Sequence, residues 1–140
     1  MKLFRHLSLA VLLMAASSHT ATAQNIQVPQ AYMFGFVASF NDSTVYFTNI
    51  QQVDSVWITK KKGFIAGRSN YSYQLRDFFT QQRNLPNRTC IVVGSVERKK
   101  VEKKYTKLKQ QYLSGKNKNK FDVRYLPESE FKFQAVNMGE

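Results

Sequence analysis

The residues best spaced for chemistry in this chain are basic. Arg98, Lys99, Lys100, Lys103, Lys104 and Lys107 recur at steps of one and three positions, and on a helix they would occupy its outer face. Ammonium and guanidinium groups gathered in this way attract anions: an acidic polysaccharide, lipopolysaccharide phosphate, an acidic protein or nucleic acid. The charge is concentrated here. Residues 24–140 carry a formal +10, and residues 97–120 supply +8 of it, with Lys109, Lys116, Lys118 and Lys120 completing the group. Lys outnumbers Arg, which suits diffuse attraction rather than bidentate recognition of phosphate. Readers of single-stranded nucleic acid interleave stacking aromatics with their basic groups. Tyr105 and Tyr112 instead fall on the apolar side of the same segment, so nucleic acid is the poorest fit among these partners. The competing reading is a solvated helix face that keeps a small protein soluble.

Other groupings are thinner. Glu128 and Glu130 flank Ser129 and would share one side of a strand as paired carboxylates, but two acids after Pro127 also suit a turn. Tyr71, Tyr73, Arg76 and Asp77 could present a polar aromatic patch, or belong to an amphipathic helix whose Arg76 and Asp77 face water. Trp57 is a ligand anchor or a core aromatic. Cys90 is the only cysteine; it excludes an intramolecular disulfide, and its apolar run Thr89–Val93 reads as a buried small hydrophobe. Asn87-Arg88-Thr89 fits the glycosylation triplet.

Both histidines, His6 and His19, precede residue 24. Residues 24–140 can therefore assemble neither a Ser-His-Asp nor a Cys-His nucleophile, nor a zinc site of the usual His and Cys kind. Nothing matches a calcium loop, a phosphate-cradling loop or a dinucleotide fingerprint. The expectation is a protein that is not an enzyme, with no catalytic residues, metal ligands or cofactor.

The elements that would position the basic residues can be read along the chain. Lys2 and Arg5 precede the apolar run Leu7–Ala16, and Ala21-Thr22-Ala23 follows. This order predicts a secretory signal peptide over 1–23, hence export to the periplasm or the extracellular space. The run is about half the ~20 residues that span a bilayer, so no transmembrane segment is expected. Residues 24–30 read as a flexible lead-in, 31–135 as one domain and 136–140 as a tail.

Within the domain, Ala31–Phe40 is apolar on both faces and predicts a central strand, joined through an Asn41-Asp42-Ser43 turn to an alternating strand over 44–48. Residues 49–68 are ambiguous: Ile50, Val53, Val56 and Trp57 have helical spacing, whereas the β-branched content of 53–59 suits a strand. A helix follows from Ser69 or Asn70 to about Gln82. Arg88–Val96 is the clearest strand and reads as central. A helix from Glu97 to about Leu113 carries the stripe Val101, Tyr105, Leu108, Tyr112, and Phe121–Leu126 is a further strand. Phe131–Phe133 reads as a short strand or strand-like tail. The order is β-β-(49–68 ambiguous)-α-β-α-β, an α+β fold expected as a two-layer sandwich, a mostly antiparallel sheet with two main helices on one face. Residues 88–126 would form a crossover between parallel or near-parallel strands.

Two resemblances bear on this reading. The stretches YMFGFVASFNDSTVYFTNIQQVDSVWI, NYSYQLRDFF, NRTCIVVGSVERKKVEKKYTKLK and FDVRYLPESEFKF together resemble a family of small exported proteins of Bacteroidota-type bacteria. It is a family without an assigned activity, so the resemblance implies no ligand or site residue. Residues 88–126 also resemble the sporulation-related (SPOR) repeat that binds peptidoglycan glycan strands. There a strand ending in a Val-x-Val-Gly-Ser-Phe-like turn leads into a helix and then another strand. Val92-Val93-Gly94-Ser95-Val96, the helix from Glu97 and the strand Phe121–Leu126 are similar in order and spacing. Val96 stands where that repeat has an aromatic, and the helix is Lys-rich rather than Ala-rich. The first resemblance implies export, and the second implies an envelope polymer as partner. The alternative is a protein–protein interaction or assembly component that uses a sheet edge or exposed aromatics.

Overall fold

A strand whose side chains are apolar on both faces must be covered on both, and residues 31–37 (AYMFGFV) impose that condition here. They form the middle of β1 (Asn25–Ala38). In the computed structural model, which describes residues 24–139, β1 is followed by β2 (Thr44–Thr48), β3 (Gln51–Thr59), α1 (Arg68–Gln81), β4 (Thr89–Ser95), α2 (Arg98–Leu113) and β5 (Asp122–Leu126). The signal peptide expected over 1–23 lies outside the described residues.

The fold is α+β, with one mostly antiparallel sheet and two α-helices among the described residues. Tyr32 and Met33 pair with both β3 and β4, and Phe36 and Val37 with both β2 and β4. A strand has only two edges, so β2 and β3 succeed one another along one edge of β1, and β4 lies along the other. β5 pairs with the far side of β2 in the sheet's one parallel ladder, Thr44 opposite Asp122 through Thr48 opposite Leu126. Among the described residues β4 pairs with β1 alone. It is therefore an edge strand, not the central one that its apolar run suggested, and Ile91 is left exposed.

The helices do not share a face. Tyr71, Leu75 and Phe79 of α1 join Met33, Val37, Tyr46 and Val92 in one buried cluster. Val101, Tyr105, Leu108 and Tyr112 of α2 join Phe34, Phe36, Val45 and Phe47 in another. Neighbouring residues of β1 and β2 thus point to different helices, and the molecule has three layers instead of the expected two. The connectivity accounts for this. α1 carries the chain from β3 past β1 to β4, and α2 carries it back past β1 and β2 to β5. Both crossovers join strands that are parallel to each other. When two crossovers of the same hand run in opposite directions across a sheet, their helices fall on opposite faces.

Residues 51–59 are a strand in which the inward side changes. Gln51 and Val53 are buried with an exposed residue between them, Asp54 and Ser55 are both exposed, and Val56 and Ile58 are buried. Ser55 has φ 57°. On the facing strand Val28 pairs with Val56 and Gln30 with Asp54, with Pro29 and Ser55 between them at the reversal. The i, i+3 spacing of Val53 and Val56 is the mark of this reversal, not of a helix.

Two expected boundaries shift. Residues 25–30 are not a flexible lead-in but the first half of β1, paired with β3 from Asn25–Thr59 onward. Their polarity reflects a two-stranded ribbon that buries little more than Val28, which packs on the core. Residues 136–139 are not a free tail. After Pro127 the chain makes a turn over residues 128–130, closed by the Glu130 N–H donating to the Pro127 carbonyl (3.0 Å), and then passes beside α1, burying Phe131 and Phe133. Val136 packs on the same cluster, its N–H donates to the Tyr71 hydroxyl (3.1 Å), and Asn25 Nδ2 donates to the Met138 carbonyl (3.1 Å).

Candidate functional site

The outer face of α2 is defined by what its inner face buries. Val101 is fully buried, the Tyr105 ring meets Phe34 edge-on with centroids 4.9 Å apart, and Tyr112 meets Phe36 at 4.9 Å. The expected stripe is therefore the seated side, and the lysines between its members point to solvent. The helix starts one residue later than expected, with Glu97 at the N-cap. Ser95 Oγ accepts a hydrogen bond from the Glu97 N–H (3.1 Å).

The six basic candidates divide into two groups. Arg98 Nε donates to Glu102 (2.9 Å), and its guanidinium lies 5.5 Å from the centre of the Tyr32 ring. Lys100 is 3.5 Å from the Glu97 carboxylate. Both pairs are solvent-exposed and contribute at most about 1 kcal/mol each. Lys99, Lys103, Lys104 and Lys107 take part in none of the ion pairs formed among the described residues. Lys99, Lys103 and Lys107 line one shallow groove together with Glu102, Thr106 and Gln110. Steps of four residues place successive members about 6 Å apart along the axis. Lys104 stays exposed beside the groove.

A seventh basic residue has a more defined position than any of these. The Lys109 ammonium lies 5.1 Å from the Tyr105 ring centre and 5.0 Å from that of Tyr125, in a groove lined by Tyr105, Thr106, Lys109, Gln110, Leu113 and Ser114. It abuts the lysine groove at Thr106 and Gln110. Burial, with a smaller contribution from Tyr125, raises the Tyr105 phenol above its ordinary value, so the ring stays neutral beside the ammonium. The i, i+4 spacing of Tyr105 and Lys109 is legible in the sequence. The contribution of Tyr125 is not, because it depends on β5 pairing with β2.

The remaining candidates do not gather into a site. Tyr71 is buried, while Tyr73 is exposed under the Arg76 guanidinium at 4.6 Å, so the Tyr71–Asp77 patch divides between core and solvent. Glu130 pairs with Arg83 and Glu128 with Lys132, so the two carboxylates have separate cationic partners. Trp57 is half-buried on β3 beside Gly139. Cys90 is half-buried, and burial pushes its thiol up to about 11, with Arg76 and Arg88 opposing the shift. It is protonated at neutral pH and a poor nucleophile. Among the described residues no three His, Cys, Asp or Glu side chains come together, and no helix is long and apolar enough to cross a membrane.

Comparison of the chain with protein-family models, curated proteins and solved structures gives no match.

Proposed function

We propose that this protein is an exported, non-enzymatic component of the cell envelope that binds an anionic or glycan polymer through the outer face of α2. The observation that carries the reading is the row Lys99, Lys103 and Lys107, which shares one groove and forms no ion pair with a carboxylate among the described residues. The two carboxylates at this end of the helix are already engaged, Glu97 by Lys100 and Glu102 by Arg98. A charged polymer laid along the groove would meet ammonium groups at regular intervals. Single-point lysine contacts tolerate a chain of variable geometry better than forked guanidinium groups do. Export rests on the signal features of residues 1–23, and the proposed binding needs no metal or cofactor.

The test is retention of the purified protein on peptidoglycan, lipopolysaccharide and envelope protein fractions, each at low and high salt. Attraction by exposed lysines is screened over a Debye length of about 10 Å at 0.1 M salt. Retention by one polymer should therefore be lost at high salt and in a Lys99→Glu, Lys100→Glu, Lys103→Glu, Lys104→Glu variant. Capture unchanged by that variant would overturn the reading.

A second reading, an assembly component of the envelope, draws on the outer edge of β4. That edge has no strand partner among the described residues, carries no Lys or Pro to discourage pairing, and shows Ile91 at 48% exposure. Salt-resistant recovery of one protein would favour it and leave the lysines a solvated face.

A further inference from the structure

The turn after β3 is a second basic element of the surface, and it lies apart from α2. Lys60, Lys61 and Lys62 are exposed, and Phe64, two residues on, is 64% exposed. None of the three lysines enters an ion pair formed among the described residues. The turn is held from several sides. Thr59 N–H donates to the Phe64 carbonyl (2.8 Å), Gly63 N–H to the Thr59 carbonyl (2.8 Å), and Lys60 N–H to the Gln24 carbonyl (2.9 Å). Phe64 N–H donates to Thr59 Oγ1 (3.0 Å), and Gly63 supplies the left-handed φ of 68° that closes the loop. Ile26, at the same end of the ribbon, is also exposed. An exposed aromatic side chain on a hydrogen-bonded turn, beside three cations at the tip of a ribbon, suits a boundary that is anionic outside and apolar just beneath.

The geometry points to the Lys60–Phe64 turn as a docking tip for an anionic lipid surface. The ring of Phe64 enters the boundary between headgroups and acyl chains, and the three ammonium groups stay at the level of the phosphates. The other end of β1, at the β1–β2 turn, is the natural comparison, because Phe40 is wholly exposed there. Its nearby charges are mixed: Asp42 and Asp122 are paired with Arg88 and Arg124, and the lysines come from a separate loop. Charge complementarity therefore favours the Phe64 end.

The experiment is partition of the purified protein onto vesicles of phosphatidylcholine alone and of phosphatidylcholine with phosphatidylglycerol. It is combined with quenching of a Phe64→Trp variant by brominated lipid, measured against the wild type, whose one tryptophan is Trp57. Binding is expected only to the anionic vesicles, with quenching of the indole introduced at position 64. Replacing Lys60, Lys61 and Lys62 with Ser should weaken partition by about 100-fold at low salt, each lysine near such a surface being worth about 1 kcal/mol. Phe64→Ser should weaken it about 10-fold, and Phe40→Ser should leave it unchanged. Circular dichroism of the Phe64→Ser variant checks that the fold persists. Quenching should survive in a Lys99→Ser, Lys103→Ser, Lys107→Ser variant, so failure of the polymer reading and failure of this one are separable. Absence of vesicle binding, binding without quenching, or dependence on Phe40 in place of Phe64 would each overturn the assignment.

Discussion

The side-chain amide of Gln51 bonds the backbone at both ends of the segment Phe131–Phe133. Its Nε2 donates to the Phe131 carbonyl (2.8 Å), and its Oε1 accepts from the Phe133 N–H (2.9 Å). Gln51 is fully buried, and its amide here does the work of a neighbouring strand. Gln74 does the same at Gln134, accepting from its N–H (2.9 Å) and donating to its carbonyl (2.8 Å). Between them the two glutamines hold a segment that pairs with no strand among the described residues.

Gln51→Leu should destabilise the protein by about 2–4 kcal/mol, because two buried backbone groups lose their partners at once. Gln74 is more exposed, so Gln74→Leu should cost about 1 kcal/mol or less. Urea denaturation of both variants gives the comparison. Equal losses would contradict the role assigned to burial.

Gly35 faces α1 with no room for a methyl group. A Cβ there would stand 2.4 Å from Leu75 Cδ2 and 3.3 Å from the Phe133 ring, and Leu75 is itself fully buried. Gly35→Ala should cost about 1–3 kcal/mol by overpacking. Adding Leu75→Ala should make the double variant less destabilised than the sum of the singles, read from melting temperatures.

Arg88 is only 5% exposed at its side chain, where Nη2 lies 2.5 Å from Asp42. Nη1 donates to the Thr44 carbonyl (3.1 Å), and the guanidinium lies 5.4 Å from the Tyr46 ring centre. It ties the start of β4 to the β1–β2 turn. Arg88→Ala should cost about 2–4 kcal/mol, and Arg88→Lys should recover only part of that, since one ammonium cannot make the forked contacts. Full recovery by Lys would show that charge alone suffices.

Cys90 makes stability depend on alkaline pH. Burial raises its thiol from an ordinary 9.0 to about 11, so the folded state holds the proton that the unfolded chain releases. The stabilisation is complete below pH 9 and is lost as pH rises toward about 11. Partial exposure limits the loss to about 1–2 kcal/mol. Cys90→Ala should flatten this part of the pH–stability curve. In the native protein, alkylation by iodoacetamide should stay slow at pH 8 and accelerate toward pH 11. Fast labelling at pH 8 would refute the assigned environment.

The sequence was most legible where one period dominates. The alternation of 44–48 and the stripe Val101, Tyr105, Leu108, Tyr112 each give their element directly, and the lysines fall outside because the stripe falls inside. Legibility failed at Ser55, where a left-handed residue reverses the alternation of β3, so that one strand has the spacing of two different elements. It failed again at the layers. The double-sided apolarity of residues 31–37 already required cover on both faces, but only the directions of the two crossovers assign α1 and α2 to them. In the candidate site, the row of lysines could be read from spacing, whereas the seat of Lys109 between Tyr105 and Tyr125 required knowledge of strand pairing.

The parallel ladder of β2 with β5 joins residues 78 positions apart, and Gln51 reaches 82 positions ahead to Phe133. Closing such wide loops costs chain entropy before any contact repays it, so folding belongs with the slower small domains, on a scale of roughly milliseconds to seconds. During synthesis the order is stricter still. β1 and β2, apolar on both faces, emerge ahead of both helices, and the segment that helps seal one of those faces follows every described helix and strand. Until Phe131 and Phe133 arrive, the nascent chain exposes the surface of α1 and β1 that they will cover. Over that interval the nascent chain is an open substrate for whatever holds unfolded polypeptides.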